Sequence, residues 1–242
     1  MEDTNFVSLR TANYSGSKQR MLTGLEHLVD GSSVLPFHIA DYWQWAYSDM
    51  LRNTQRGVFA EFIVKAALDL GGIFTNNNIR SNFEPFDLVG PNITSCQLET
   101  NVPCRIEVKS AAYIQSWNPH PGSTPRITFS IAPAKVPDGI GDYRPEAPLQ
   151  RNSDLYVFTV YTAKERERNI LNMNLWEFYV AKTSALDEKY GKQKTVSLSN
   201  LTKDLSLTPL SFGELCQAII DTCKSISDDN KKDHPIADSP AR

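Results

Sequence analysis

Residues Asp154-Leu155-Tyr156-Val157-Phe158-Thr159-Val160-Tyr161 form an almost continuously apolar run. Successive side chains of a strand point to opposite sides, so a strand covered on one face alternates apolar with polar residues. A run without that alternation belongs in the middle of a sheet, covered on both faces. The chain must therefore supply layers for both sides, and helices over a mixed sheet are the ordinary way to do so. With 242 residues and 40% hydrophobic content, it is long enough to bury such a core in one domain.

The flanking segments supply those layers. Asn53 to Leu70 reads as a helix in which Phe59, Ile63, Ala66 and Leu70 form the buried stripe, Thr54 the cap and Gly71-Gly72 the stop. Arg126 to Ile131 alternates as a strand, Leu175 to Ala181 is another, and Ser211 to Ile226 reads as a closing helix with Phe212, Leu215, Ile219, Cys223 and Ile226 on one side. The expectation is an α/β fold, a central mixed β-sheet flanked by helices, over residues 36–226. Residues 1–35 read as a polar N-terminal extension with a short helix around Lys18 to Leu28, and 227–242 as a charged, proline-bearing, disordered tail. Leu35 to Arg52 reads as an aromatic-rich helix that covers the sheet or forms a subunit contact. The proline-rich stretch from Pro133 to Gln150 is long enough for a functional loop closing over substrate or entering a DNA groove.

Two short strand-like segments carry the chemistry. In Arg105-Ile106-Glu107-Val108-Lys109, strand alternation puts Arg105, Glu107 and Lys109 on one face and Ile106 and Val108 toward a core. In Pro85-Phe86-Asp87, Phe86 and the following Leu88 take the buried face and Asp87 the other. If the two runs pair across the loop from about Gly90 to Pro103, Asp87 approaches Glu107. Two such carboxylates repel unless a cation lies between them, and a hard divalent ion with oxygen ligands, most simply Mg²⁺, relieves that cost. The plainer reading is a cross-strand ion pair on a solvated sheet face.

These residues resemble the PD-(D/E)XK nuclease superfamily, with its restriction-endonuclease-like fold. Glu107-Val108-Lys109 matches its E-x-K form in full, while Phe86 intervenes between Pro85 and Asp87. The order of helix, three strands, then further strand and helix is also the order of that superfamily's core. The resemblance implies that Asp87, Glu107 and the backbone carbonyl of Val108 bind the metal and that Lys109 orients or activates the attacking water. It also implies that Glu61, on the preceding helix, serves as an outer ligand or water holder; the alternative for Glu61 is an exposed pair with Lys65 at i+4. Ser110 and Gln115 match small or polar residues that flank the substrate phosphate in the superfamily. The block of Glu-Val-Lys-Ser, an aromatic and Gln-Ser-Trp is similar to uncharacterised bacterial members. Tyr113 and Trp117 are candidates for stacking on bases or for core and lid positions.

The remaining composition narrows the reading. Cys96, Cys104, Cys216 and Cys223 have no C-x-x-C spacing and no adjacent histidine, so buried free thiols are expected and a structural zinc site is not. His27, His38, His120 and His234 are scattered, and none is assigned to catalysis. The net charge of −3 argues against a surface that coats phosphates nonspecifically. Phosphate contacts are instead sought locally, at Arg56 and Arg105 first, then Arg52, Arg126, Lys135, Arg144 and Arg151. There is no apolar run of membrane-spanning length and no apolar leader, so a cytoplasmic protein without a membrane partner is expected. Together these expectations describe a Mg²⁺-dependent DNA endonuclease of restriction or phage-defence type, with Mn²⁺ able to substitute. Cutting both strands would call for a homodimer. A repair or recombination nuclease, or a non-catalytic nucleic-acid-binding module, are the alternatives on the same fold.

Overall fold

The computed structural model describes residues 21–73, 80, 85–94, 101–116, 125–135, 146–166 and 168–233. The chain divides into two compact units, Met1–Ser48 with Asn78–Arg80, and Asp49–Asn77 with Ser81–Arg242.

In the smaller unit, β1 (His27–Asp30) and β2 (Ser33–His38) pair antiparallel, and α1 (Ile39–Tyr47) follows. Gly31 makes the turn at φ 59°, a conformation that favours glycine. The expected helix from Leu35 is thus a strand as far as His38. Pro36 lacks an N–H and suits an edge strand, and the first effective helix start lies at His38, whose N–H donates to the Asp41 carboxylate at 2.6 Å. Residues 27–28 of the short helix expected at 18–28 lie instead at the start of β1, and residues 1–20 lie outside the described residues.

The larger unit is built on a four-stranded sheet in the order β3 (Leu88–Thr94), β4 (Asn101–Ala112), β6 (Leu155–Tyr161), β7 (Trp176–Lys182). The β3–β4 and β6–β7 pairs are antiparallel and β4–β6 is parallel, so the sheet is mixed. All seven residues of β6 are buried, as its unbroken apolar character requires. Helices α2 (Asn53–Leu70) and α5 (Phe212–Asp233) cover one face, enclosing Ile106, Val108, Leu155, Val157 and Phe178. The other face buries Tyr156, Phe158, Val160 and Tyr179 beneath α3 (Thr183–Tyr190), α4 (Leu198–Asp204) and a ribbon of β5 (Thr128–Ser130) with β8 (Thr195–Ser197). The architecture is α/β, with five α-helices among the described residues. No helix among them is long and apolar enough to cross a membrane.

Several local expectations shift. The strand at 126–131 is only Thr128–Ser130 and leaves the main sheet to pair with β8. The buried side of α2 runs through Arg56, Ala60, Ile63, Val64, Ala67 and Leu68, while Leu70 is exposed. Small Ala60 and Ala67 let the helix lie close on the sheet. Thr54 does not cap α2, because the cap position is Arg52 and no side chain bonds there. Gly71 does end the helix, and a Cβ there would collide with the Cys216 sulfur of α5. The stripe of α5 is the expected one, with Leu215, Ile219 and Cys223 buried, but the helix continues beyond Ile226 to Asp233, so disorder does not begin at residue 227. Lys182 of β7 pairs with Asp229 in that extension. Cys104, Cys216 and Cys223 are free thiols, the first and last buried; Cys96 lies outside the described residues. Within the Pro133–Gln150 loop, Ala134 and Gln150 bridge its two ends, and 136–145 lie outside the described residues.

Candidate active site

β3 begins at Leu88, opposite Ile106 of β4, and Asp87 stands immediately before it. The Asp87 N–H donates to the Ile106 carbonyl at 3.0 Å, and the Asp87 carboxylate accepts the Val108 N–H at 2.8 Å. Among the described residues no residue of β3 pairs with β4 beyond Ile106. The Asp87 side chain therefore stands where the next ladder bond would have been. Because the N–H and C=O of one strand residue project to the same edge, the Val108 carbonyl is directed to the edge where Asp87 sits.

Glu107 and Lys109 project from the opposite face to Ile106 and Val108, as the alternation requires, and the Lys109 ammonium donates to the Glu107 carboxylate. Both are largely covered, at 18% and 29% exposure. Removal from water pushes the Glu107 carboxyl above the usual range; the Lys109 charge opposes this, and the charges of Asp87 and, more weakly, Glu61 push it further up. The acids are close enough to raise one another's cost of ionisation, which is the condition a cation relieves.

Glu61 lies on α2 with Val64 and Leu68 at i+3 and i+7, and is 9% exposed. It is buried rather than part of an exposed helix-face pair, and Lys65 pairs with Asp69 instead. Among the described residues no three His, Cys, Asp or Glu side chains are grouped closely enough to hold a metal ion. Glu61 is therefore not gathered with Asp87 and Glu107 into one ligand group. The donors that remain, two carboxylates and a backbone carbonyl, are hard oxygens of the kind Mg²⁺ or Mn²⁺ takes together with water. In donor type they match such an ion.

Arg56, Arg105, Gln115 and Arg151, among the expected phosphate contacts, bond within the chain. Arg105 binds Asp154 through Nε (3.1 Å) and Nη2 (2.7 Å). Ser110 shares the face of Ile106 and Val108, and its hydroxyl is buried without a partner. The Gln115 amide donates to the Ala112 carbonyl at 3.2 Å and accepts from Arg56 at 3.1 Å. Arg56 is 2% exposed. Arg151 is likewise enclosed, bonding the carbonyls of Ile131, Gly191 and Gln193 and the Asp187 carboxylate. A phosphate contact from Arg56, Ser110, Gln115 or Arg151 would have to displace an internal bond or enter the core, whereas the Arg105 side chain is 45% exposed beside its bonds to Asp154. Tyr113 is half-buried with the Lys164 ammonium over its ring; Trp117 and Arg144 lie outside the described residues.

Two neighbours of the site had no sequence signal. Tyr156 stands beside Glu107 in the parallel β4–β6 register. Burial first, then the Glu107 charge, pushes its hydroxyl up to about 12, so it serves only as a protonated donor or acceptor. Asp154 accepts the Arg105 N–H at 2.8 Å and returns its own N–H to the Arg105 carbonyl at 2.8 Å, fixing the β4–β6 register two residues before Glu107. Only knowledge of which strand follows β4 in space would have brought either forward. No family model matches the chain, and no curated protein matches it.

Proposed function

We propose that this chain is a metal-dependent endonuclease with a restriction-endonuclease-like core, hydrolysing phosphodiester bonds of DNA in a restriction or phage-defence role. The observation that carries the reading is the hydrogen bond from the Val108 N–H to the Asp87 carboxylate, which draws the two acidic segments to one strand edge. The main-sheet strands β3, β4, β6 and β7 lie in the chain between α2 and α5, which supports the reading, while the strand expected at 126–131 pairs outside that sheet as β5.

Asp87, Glu107 and the Val108 carbonyl would hold a Mg²⁺ or Mn²⁺ ion, which supplies Lewis-acid activation of water and of the phosphoryl oxygens. Asp87 is positioned for this by its own backbone and side-chain bonds to β4. Lys109 is paired with Glu107. With a cation held by Asp87 and Glu107, Lys109 would orient the nucleophile and stabilise charge developing on phosphate. Glu61 acts at longer range, through charge or through water.

The test is cleavage of plasmid, linear, branched and single-stranded DNA, and of RNA, with Mg²⁺ or Mn²⁺. Asp87→Asn and Lys109→Met should each lower the rate at least about 100-fold, the scale of losing one electrostatic group from such a site, while circular dichroism stays unchanged. Equal rates in wild type and both variants would remove the site assignment. Absence of cleavage on every substrate would leave a binding module.

A further inference from the structure

Arg56 is a buried cation that meets no carboxylate among the described residues. Its Nη1 donates to the Leu51 carbonyl (3.0 Å) and to Gln115 Oε1 (3.1 Å), its Nη2 to Asn53 Oδ1 (2.6 Å), and its Nε has no partner. Burial pushes its guanidinium down to about 10. It also lies in the first turns of α2, at the positive end of the helix dipole, with no acidic residue in the first turn. Burial, the unpartnered Nε and the helix position each disfavour a charge, against three hydrogen bonds to neutral acceptors. Burial and helix position alone give no reason for a charge here.

Its bonds suggest what does. Arg56 starts on the helix that carries Glu61 and reaches the segment that leaves the strand carrying Glu107 and Lys109. Gln115, six residues beyond Lys109, is held by its side chain from Arg56, and its carbonyl and that of Ser116 are held by Arg166 Nη2 at 3.3 and 2.6 Å. The part of β4 from Glu107 onward pairs with β6 on one side, whereas β3 pairs with none of it. Among the described residues, the bond from the Val108 N–H to the Asp87 carboxylate is the contact on the other side, and the Arg56 and Arg166 bonds tie the segment that follows.

We infer that Arg56 is a positioning residue for the proposed nuclease site: by holding Gln115 it fixes the end of the Glu107–Lys109 strand against the helix that bears Glu61. The inference rests on the proposed function, and its test has one arm that does not. Backbone amide exchange is measured by mass spectrometry in wild type, Arg56→Met and Gln115→Leu, the second variant removing the same bond from the other partner. Exchange over Tyr113–Ser116 should rise at least tenfold in both, with β6 unchanged. In Mn²⁺-dependent DNA cleavage, kcat should fall at least tenfold and KM for DNA should move less than threefold, with Arg56→Lys intermediate.

Unchanged exchange in both variants overturns the anchoring whether or not the protein cleaves DNA. Faster exchange with unchanged kcat overturns the role in catalysis, and a KM effect alone assigns Arg56 to phosphate binding instead. If wild type cleaves nothing, the proposed function fails and the exchange arm still decides whether Arg56 anchors the segment. If Arg56→Met does not fold, Gln115→Leu decides both points.

Discussion

Among the described residues each face of the central sheet buries one arginine, and the two are treated differently. On the face under α3 and β8, Arg151 is fully enclosed and meets the Asp187 carboxylate and three backbone carbonyls. On the face under α2, Arg56 is as well buried and meets only neutral acceptors. A buried guanidinium with a carboxylate and a ring of carbonyls is a structural staple, joining Ile131, α3 and the turn that follows it. A buried guanidinium without an anion is a net cost, and its reason must be sought in what it connects.

The largest effect that separates the two is therefore on stability. Arg151→Met should cost about 3 kcal/mol, because it orphans three carbonyls and an ion-pair partner, and urea unfolding followed by circular dichroism measures it. Asp187 is 54% exposed and can rehydrate, which keeps the loss at the lower end of that range for buried pairs. Arg56→Met should change stability by less than about 1 kcal/mol. Losses of equal size in the two variants would break the comparison and make both arginines staples.

A second contrast concerns Glu107. The fold raises its carboxyl above its unfolded value, chiefly by burial and against the pull of Lys109. The folded state therefore binds more protons than the unfolded chain. The stability belonging to the protonated form is complete below the ordinary glutamate value of about 4.3 and is lost as the pH rises through the raised value. Glu107→Gln removes that loss, so its melting temperature should exceed that of wild type more at pH 8 than at pH 4. A margin that shrinks with rising pH would show that Lys109 outweighs burial. Divalent cation should reverse the order: Mg²⁺ at 100 times its Kd stabilises wild type by about 2.7 kcal/mol, and the Gln variant by much less.

The central strand, the helices before and after it and the E-x-K face were legible because each depends on periodicity within one segment. Phe158 and its neighbours had to be central, and Glu107 and Lys109 had to share a face. What the sequence did not disclose depends on partners distant along the chain. Arg56, Arg105, Ser110 and Gln115 look like surface contacts by type, yet Asp154 and the α2–β4 packing take them up. The stripe of α2 was misplaced by one position because Ala60 and Ala67 are weak apolar signals that matter through close approach. The ribbon of β5 and β8 joins two three-residue segments more than sixty residues apart, and no local pattern that short identifies its partner.

The smallest expected effect tests whether charge contributes anything beyond Arg56 on the α2 and α5 face. Lys182, at the end of β7, pairs with Asp229 in the part of α5 that runs past the apolar stripe. Asp229 is 51% exposed, so water screens the pair and competes for both groups. Lys182→Ala should therefore cost less than about 1 kcal/mol. Amide exchange near the C-terminal turns of α5 should quicken without any change at Leu215 or Ile219. A loss above about 2 kcal/mol would mean that α5 is held on the sheet by this bridge as much as by its buried stripe. Arg56 would then be one member of a polar framework on that face, and its lack of a counterion would no longer set it apart from the staple at Arg151.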